Sequence, residues 1–462
     1  MTDRRLISLL LLMLDFLAVV LAFHGVAWLR GALVLGNFSI LPLLGPFAVL
    51  VVAVYLIDGY SPRTDMLSVA YTSQHTIALG TGMLAMLLVT FVFIKEQYSL
   101  QSSRAVIALS YVALIPLTLS YRRRLALRVA GERNRRPLIF VGSQASCVAF
   151  KEACEKNLTT QEVLFVATDT TSHESVSPLV GLEMHAVSEM LPLLERLAGN
   201  VEAIVLHETS RDLPFAVSEK LMELHFSGIP TYTLELFHEI YWRKIPLYRL
   251  SQTWLFQEGF QIARDPVFER LKRLSDIVLS LMGLVLASPL LLVCAAAVWL
   301  EDRGPVFFKQ MRVGKHRMLF QVHKFRTMRV LLDSRTAQGD PYTRPNDDRI
   351  TRVGRLLRAM RLDELPQLWN VLRGDMSLIG PRAEWLKLVE RYEREIPCYH
   401  FRHLVKPGIT GWAQVNYPYG SSLDDTLRKL EYDLYYIRYF SFVLDASIVL
   451  KTIHIMLFGK GR

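Results

Sequence analysis

The sequence predicts a multidomain membrane protein with an α-helical bundle of four membrane spans, an α/β middle domain and a mainly α carboxy-terminal domain. Three observations support this class. The chain has 462 residues, which is too long for one ordinary core. Hydrophobic residues make up 51% of it and gather in long apolar runs. A stretch between the runs alternates strand-like and helix-like segments. The predicted domains are 1–130, 131–262 and 263–462.

Four apolar runs in the first domain are each long enough to cross a hydrocarbon core of roughly 30 Å. They are Leu6–Trp28, Ile40–Ile57, Ile77–Ile94 and Ala105–Ser120. Arg4 and Arg5 precede the first run and Arg122 follows the fourth, which places both ends of the bundle in the cytoplasm. Asp15 lies within the first run and is either functional or turned towards the bundle interior, and the second interpretation is favoured.

The middle domain alternates predicted strands and helices, which indicates a small parallel, Rossmann-like sheet. The strands are Leu138–Gly142, Val163–Ala167, Ala203–Leu206 and Ile229–Leu234, and the helices are Ser143–Lys156 and Phe215–Phe226. Gly142 stands alone where a dinucleotide fingerprint needs three glycines. A structural or regulatory module is therefore expected, followed by an aromatic-rich connector up to residue 262.

The apolar segment of about residues 277–300 contains Ser288-Pro289 at its middle and has basic residues on both sides. Proline interrupts the helical hydrogen-bond ladder, and basic flanks favour keeping both ends in the cytoplasm. A re-entrant helix–break–helix that dips into one leaflet satisfies both observations, and a proline-kinked full span is the alternative. Backbone groups freed at the break need partners, for which Ser288 itself is a candidate.

The charge and the cysteine content limit which ligands, metal sites and disulfides are expected. The net charge is +10, but the basic residues flank apolar segments or lie among carboxylates. Nucleic acid is not expected, because no ladder of aromatic and basic residues is present. The four cysteines lack metal-site spacing and give no disulfide framework.

The carboxy-terminal domain centres on two adjacent carboxylates, Asp363 and Glu364. Arg358 and Arg361 precede them, and Arg382 follows. Carboxylates can hold a divalent metal or attack phosphorus, and arginines can bind phosphate oxygens bidentately. A solvated helix start with ion pairs is the ordinary alternative.

A basic β-hairpin is predicted within Gly304–Met328, with its turn at Gly314-Lys315. It carries Lys324 and Arg326, two further cations for phosphate. Two helices, Leu423–Tyr439 and Phe442–Phe458, are predicted to close the chain.

The motifs of residues 263–462 resemble the bacterial sugar transferase family, the monotopic phosphoglycosyl transferases. The resemblance rests on Lys272-Arg273 with Asp276, Ser288-Pro289, G-P-V-F-F-K-Q, K-F-R-T-M, L-D-E-L-P-Q-L-W-N-V-L-R-G-D-M-S-L-I-G-P-R and K-P-G-I-T-G-W-A-Q-V, in this order. The bundle and middle domain resemble the large, exopolysaccharide-associated form of that family. The ending is similar to its exosortase (PEP-CTERM) branch.

The resemblance implies transfer of sugar-1-phosphate from a UDP-sugar to polyprenyl (undecaprenyl) phosphate, with release of UMP. It implies Asp363 as nucleophile and metal residue, Glu364 as an assisting base or metal neighbour, and Mg²⁺ as cofactor. It places a phosphate-contacting arginine at Arg358 and a nucleotide-linked Pro-Arg element at Arg382. The family often has Pro-Arg-Pro where this chain has Pro381-Arg382-Ala383, which is expected to loosen that turn.

The resemblance further implies a monotopic catalytic domain with a re-entrant helix, on the cytoplasmic face of the bacterial inner membrane. Besides the lipid bilayer, it leaves a homodimer open as a role for the middle domain. A glycosyltransferase that releases UDP and a membrane-anchored regulator or scaffold are the alternative functions. The transferred sugar is not specified by the sequence.

Overall fold

The computed structural model describes residues 2–30, 40–61, 64, 66–93, 103–133, 136–157, 161–168, 176–177, 182–197, 200–207, 213–247, 266–329, 349–417, 420 and 422–458. They form two compact units, Met1–Arg243 and Lys244–Arg462. The first contains a helical bundle and an α/β sheet, and the second contains the carboxylate pair. The connector after residue 247 and up to residue 265 lies outside the described residues.

The bundle has four helices, three of which are long and apolar enough to cross a membrane. The helices are α1 (Thr2–Leu29), α2 (Leu44–Leu56), α3 (Val69–Phe93) and α4 (Arg104–Arg133). A 3₁₀ turn over Leu41–Leu43 leads into α2, and this second apolar segment ends at Leu56. At 1.5 Å per residue it reaches roughly 24 Å, so the predicted second span is shorter than the other three.

Asp15 faces the interior of the bundle, which confirms the favoured interpretation. Arg122 Nη2 on α4 lies 2.6 Å from Asp15 Oδ2, and both side chains are fully buried. Tyr60 donates a hydrogen bond of 2.6 Å to the same carboxylate. A carboxylate and a guanidinium that neutralise each other can be retained among apolar helices.

The middle of the chain forms a six-stranded sheet with the order β3-β4-β2-β1-β5-β6, parallel except for β3. Its strands are β1 (Leu138–Gly142), β2 (Val163–Ala167), β3 (Val176–Ser177), β4 (Leu182–Ala186), β5 (Ala203–Leu206) and β6 (Thr231–Thr233). The accompanying helices are α5 (Gln144–Lys156), α6 (Met190–Leu197), α7 (Phe215–Phe226) and α8 (Leu234–Phe237). The parallel sheet is confirmed, whereas β3 and β4 were not predicted.

Gly142 at the end of β1 is required by packing. A Cβ atom there would lie 2.5 Å from Ser146 Oγ and 2.7 Å from His207 Cβ. The single glycine of this turn therefore has a structural reason that involves no bound nucleotide.

The second unit begins its described part with a long apolar helix, α9 (Pro266–Asp302), which runs through Pro289 without a break. It is long and apolar enough to cross a membrane by length and composition. Pro289 cannot donate to the carbonyl of Val285 four residues earlier. The Ser288 hydroxyl donates to that carbonyl instead, at 2.8 Å. The predicted break between two helices is therefore not seen, because α9 is one helix with a proline inside it. Ser288, one of the predicted partners, does bond the freed carbonyl.

The rest of the second unit surrounds this helix with a hairpin and short helices. Its strands are β7 (Phe307–Val313), β8 (Leu319–Phe325), β9 (Ser377–Ile379) and β10 (Gly408–Thr410). Its helices are α10 (Arg352–Ala359), α11 (Gln367–Arg373), α12 (Leu386–Glu395), α13 (Trp412–Asn416), α14 (Leu423–Arg438) and α15 (Phe442–Phe458). β7 and β8 pair antiparallel in the predicted hairpin, and β9 and β10 pair in parallel. Tyr399, Trp412 and, on α14, Tyr436 belong to one buried core cluster of this unit.

The amino-terminal end of α9 is anchored by charged side chains. Lys272 Nζ lies 2.5 Å from Asp445 Oδ2 on α15, in a largely buried pair. Asp276 accepts hydrogen bonds of 3.1 Å from the Ser377 hydroxyl and from the Leu378 backbone N–H. These contacts attach the start of the apolar helix to β9 and α15.

The carboxy-terminal end of α9 is anchored to the same unit. Glu301 Oε1 accepts a hydrogen bond of 2.7 Å from the backbone N–H of Arg352 at the start of α10. Asp302 forms an ion pair with Arg326, directly after β8. Both ends of a long apolar helix are therefore held by elements of a single polar unit.

Candidate functional site

The carboxylate pair lies on a tight turn between two helices. After α10, Arg361 takes a left-handed conformation with φ of 55°, which is unfavourable for a residue other than glycine. Leu362–Glu364 then form a 3₁₀ turn, and Pro366 leads into α11. Leu362 packs against a cluster that includes Cys294 of α9. The turn is therefore fixed to the membrane helix by apolar contact.

Glu364 is held by two cations from different elements. Lys324 Nζ on β8 lies 2.7 Å from Glu364 Oε1, and Arg382 Nη2 lies 3.0 Å from the same oxygen. Burial alone would raise the pKa of Glu364, but the charges and hydrogen bonds of Arg382 and Lys324 outweigh it and lower the pKa. The ionised form of Glu364 is therefore favoured, and one of its oxygens is occupied.

Asp363 is in the opposite situation. Within the described ranges its carboxylate makes no hydrogen bond or ion pair, and the side chain is half-buried. Burial raises its pKa, and the negative charge of Glu364 raises it further, while Lys324, Arg358 and Arg382 oppose the shift. A carboxylate that is poorly solvated and has no fixed partner is more nucleophilic than one already engaged in hydrogen bonds.

Arg358 is oriented by a residue that the sequence interpretation did not identify. Its Nε donates a hydrogen bond of 2.8 Å to the Thr327 hydroxyl, directly after β8. This contact fixes the guanidinium at a distance from which its charge acts on Asp363. Arg361 precedes the turn and is half-buried.

Arg326, predicted to bind substrate, has its guanidinium in a different place. It pairs with Asp302 and lies over Gly304, where a Cβ atom would come within 2.4 Å of Arg326 Nη1. Its side chain is only 8% exposed. Among the predicted cations, Lys324, Arg358 and Arg382 gather at the carboxylates, whereas Arg326 stabilises the end of α9.

The Pro381-Arg382-Ala383 turn is held at every carbonyl. Pro381 O accepts from the Gly408 N–H at 2.9 Å, and Arg382 O accepts from Arg402 Nη2 at 3.0 Å. Ala383 O accepts from Arg312 Nη1 at 3.2 Å. The expected loosening from the missing second proline is therefore offset by donors from three other segments.

Arg402 is itself part of a buried network. Its Nη2 lies 2.9 Å from Asp433 Oδ2, and its Nη1 donates to the Tyr399 hydroxyl. Sequence interpretation missed Arg402 and Asp433 because nothing local marks them as partners of Arg382. A lone arginine shortly before K-P-G-I-T-G was the only available signal.

A cavity opens beside Glu364. Its polar lining comes from Arg312, Lys324, Gln367 and Arg382, and Val322 is among its apolar lining residues. The cavity and its open mouth contain about 250 Å³ of empty space. Since this figure includes space that is open to solvent, the enclosed part is small and suits only a group the size of a single oxygen atom or water molecule.

The described residues contain no cluster of three His, Cys, Asp or Glu side chains that could hold a metal ion by themselves. Mg²⁺ is commonly bound by one or two carboxylates together with substrate phosphates. Since only Oε1 of Glu364 is occupied, both oxygens of Asp363 and Oε2 of Glu364 are available. The donor set fits Mg²⁺ when a phosphorylated substrate completes it.

Comparison with known proteins gives a consistent result. Residues 267–459 match the family model described as bacterial sugar transferase. The chain is 40% identical over 260 residues to the UDP-N-acetylgalactosamine-undecaprenyl-phosphate N-acetylgalactosaminephosphotransferase of Aeromonas hydrophila, covering 56% of this chain and 60% of that protein.

Two further relatives match over shorter stretches. The UDP-glucose:undecaprenyl-phosphate glucose-1-phosphate transferase of Escherichia coli (strain K12) is 46% identical over 187 residues, which are 40% of this chain and 39% of the relative. The exopolysaccharide production protein PSS of Rhizobium leguminosarum bv. phaseoli is 42% identical over 189 residues, which are 40% of this chain and 93% of the relative. The chain thus spans nearly all of one relative and less than two thirds of the other two.

Proposed function

Because this chain belongs to the bacterial sugar transferase family, we propose that it transfers sugar-1-phosphate from a UDP-sugar to a polyprenyl phosphate and releases UMP. The observation that carries the proposal is the asymmetry of the carboxylate pair. Glu364 is held by Lys324 and Arg382, whereas the Asp363 carboxylate has no protein partner within the described ranges.

The asymmetry suits a two-step displacement. An Asp363 oxygen attacks the phosphorus that carries the sugar, and the bond from that phosphorus to the UMP oxygen breaks. UMP leaves with the electron pair, and a phosphosugar–aspartyl ester remains. A phosphate oxygen of the polyprenyl phosphate then attacks the same phosphorus and releases the Asp363 carboxylate.

The surrounding cations stabilise the charge of both steps. Arg358, fixed by Thr327, and Arg382, fixed through its backbone, can each bind phosphate oxygens. Glu364 keeps Lys324 and Arg382 at the site before substrate enters, which reduces the reorganisation needed on binding. Arg361 stays a predicted phosphate contact. Mg²⁺, when bound, would be held by Asp363 and the substrate phosphates and would neutralise the diphosphate charge.

The membrane helix supports delivery of the lipid substrate. Val285, Leu286, Leu292 and Val293 in the middle of α9 are 64% to 74% exposed. Its two ends are anchored to one polar unit, whereas crossing would separate them by a bilayer of about 40–45 Å. We therefore propose that α9 bends at Pro289 and is re-entrant, with the unit on the cytoplasmic face of the inner membrane. A homodimer stays a prediction.

One assay tests the reaction. Membrane-embedded protein is given polyprenyl phosphate and, separately, UDP-glucose, UDP-galactose or UDP-N-acetylgalactosamine, and the released nucleotide is identified. We expect UMP with one of these sugars and none with Asp363→Asn. Release of UDP would indicate an ordinary glycosyltransferase, and no turnover with any sugar would favour a regulator or scaffold.

A further inference from the structure

Gln367 is a buried polar residue with no partner in the part of the chain that the structure describes. It is the first residue of α11 and only 4% exposed. Its side-chain amide makes no hydrogen bond to any described residue. Both amide atoms keep some accessible surface. Gln367 lines the cavity beside Glu364, which gives access to them.

A buried amide without a partner costs free energy, and such groups are retained where a ligand or water satisfies them. The other polar lining consists of three cations, Arg312, Lys324 and Arg382. Glu364 neutralises part of the charge of Lys324 and Arg382 through a single oxygen. Glu384 lies 3.8 Å from Arg312, so two carboxylates face three cations. The cavity therefore has a net positive lining and an unused N–H₂ donor, which together suit an anion.

We propose that this cavity is a phosphate subsite in which the Gln367 amide donates a hydrogen bond to a phosphate oxygen of a substrate. The inference rests on the proposed function, since both substrates of that reaction carry phosphate. The enclosed space is too small for a whole nucleotide sugar, but a phosphate oxygen at its mouth would meet the cations and the Gln367 amide that line it. The phosphate belongs either to the nucleotide or to the polyprenyl phosphate.

The residue is tested by two substitutions of nearly unchanged shape. Gln367→Met removes the donor, and Gln367→Glu presents a carboxylate to the bound anion. The control is Gln321→Met, because Gln321 lies exposed on β8 in the same unit. Binding of UMP and of uridine is measured by calorimetry on membrane-embedded protein, and the KM for polyprenyl phosphate is measured separately.

If the cavity holds the nucleotide phosphate, Gln367→Met weakens UMP binding by about tenfold and leaves uridine binding unchanged, as expected for a hydrogen bond to a charged group. Gln367→Glu weakens UMP binding at least as much. If the cavity holds the lipid phosphate, the KM for polyprenyl phosphate rises about tenfold instead. Either result supports the subsite, and Gln321→Met changes neither quantity.

The proposal is overturned if both Gln367 variants keep UMP affinity and lipid KM within about twofold of the unchanged protein. The amide would then be satisfied by water alone. Thermal unfolding of each variant without ligand identifies any that fail to fold, and the Glu variant retains the shape of the original side chain. UMP binding can be measured without turnover. If the proposed reaction is wrong, the activity assay releases UDP, and the comparison of UMP affinities can still be interpreted.

Discussion

Lys324 and Glu364 form an ion pair of 2.7 Å at the base of the site, and this pair separates the roles of two adjacent carboxylates. Glu364 is ionised and engaged, and Asp363 is left to react. The same division predicts how the site responds to substitution and to pH.

Asp363→Asn is expected to abolish UMP release while increasing stability at neutral pH. Because burial raises the pKa of Asp363 in the folded protein, ionising it opposes folding at any pH above its unfolded value of about 3.9. The amide removes that cost. Turnover should fall on the order of a thousandfold or more. Thermal unfolding should show the gain at pH 7 and its disappearance near pH 4, and a gain that persists at pH 4 would contradict the explanation.

Glu364→Gln is expected to move the acid limb of the residual activity to lower pH. The Glu364 charge helps to raise the pKa of Asp363, and the substitution also frees Lys324 and Arg382 to act on Asp363. Both effects lower the pKa of the nucleophile, so its ionised form persists to lower pH. The pH profile of kcat/KM for the UDP-sugar measures this, and a shift to higher pH would contradict it.

Arg402→Met is expected to raise the KM for the UDP-sugar although Arg402 is buried behind the site. The substitution removes the donor to Arg382 O and leaves Asp433 as a buried carboxylate without its cation, at a cost of about 3–5 kcal/mol. The double variant Arg402→Met with Asp433→Leu should recover most of the stability but not the KM. Arg391→Met, at an exposed i,i+4 pair, is the control.

Arg361→Val is expected to destabilise the protein by about 1–2 kcal/mol, because a β-branched residue is strained at a φ of 55°. Arg361→Gly should fold with unchanged or slightly higher stability, since glycine adopts this conformation freely. Denaturant unfolding compares the two. Arg355→Val, at an exposed position within α10, should cost well under 1 kcal/mol.

Arg326→Met is expected to reduce the stability of the protein, and Arg382→Met is expected to reduce its affinity for the substrate. Arg326 pairs with Asp302, so its loss should lower the unfolding temperature and leave the KM for the UDP-sugar within about twofold. Arg382 reaches Glu364 and lines the cavity, so its loss should raise that KM about tenfold. Equal effects on KM would restore Arg326 as a substrate-binding residue.

Structural elements that depend on residues close together in the chain could be predicted from the sequence. The hairpin follows from two apolar-alternating runs around Gly314, and the helices after Leu423 and Phe442 follow from periodicity. The adjacency of Asp363 and Glu364 is itself a sequence fact.

What could not be predicted depends on residues that are distant in sequence. The sequence did not show which cation faces the two carboxylates. Lys324 lies within β8 and Arg326 directly after it, so the position at which the strand ends decides where each side chain lies. Arg402 meets Arg382 through a fold-level contact. Strand β3 has only two residues, too few for a pattern, whereas Leu182–Ala186 of β4 does alternate apolar and polar residues and was overlooked.

The Asp15–Arg122 pair imposes an order on the biogenesis of the bundle. The two residues are 107 positions apart, so α1 emerges from the ribosome long before α4. During that interval the carboxylate of α1 has no guanidinium to neutralise it, and an isolated charge in lipid is costly. The first helix can settle in its final position only after the last one has been synthesised, which makes α4 the step that completes the membrane anchor.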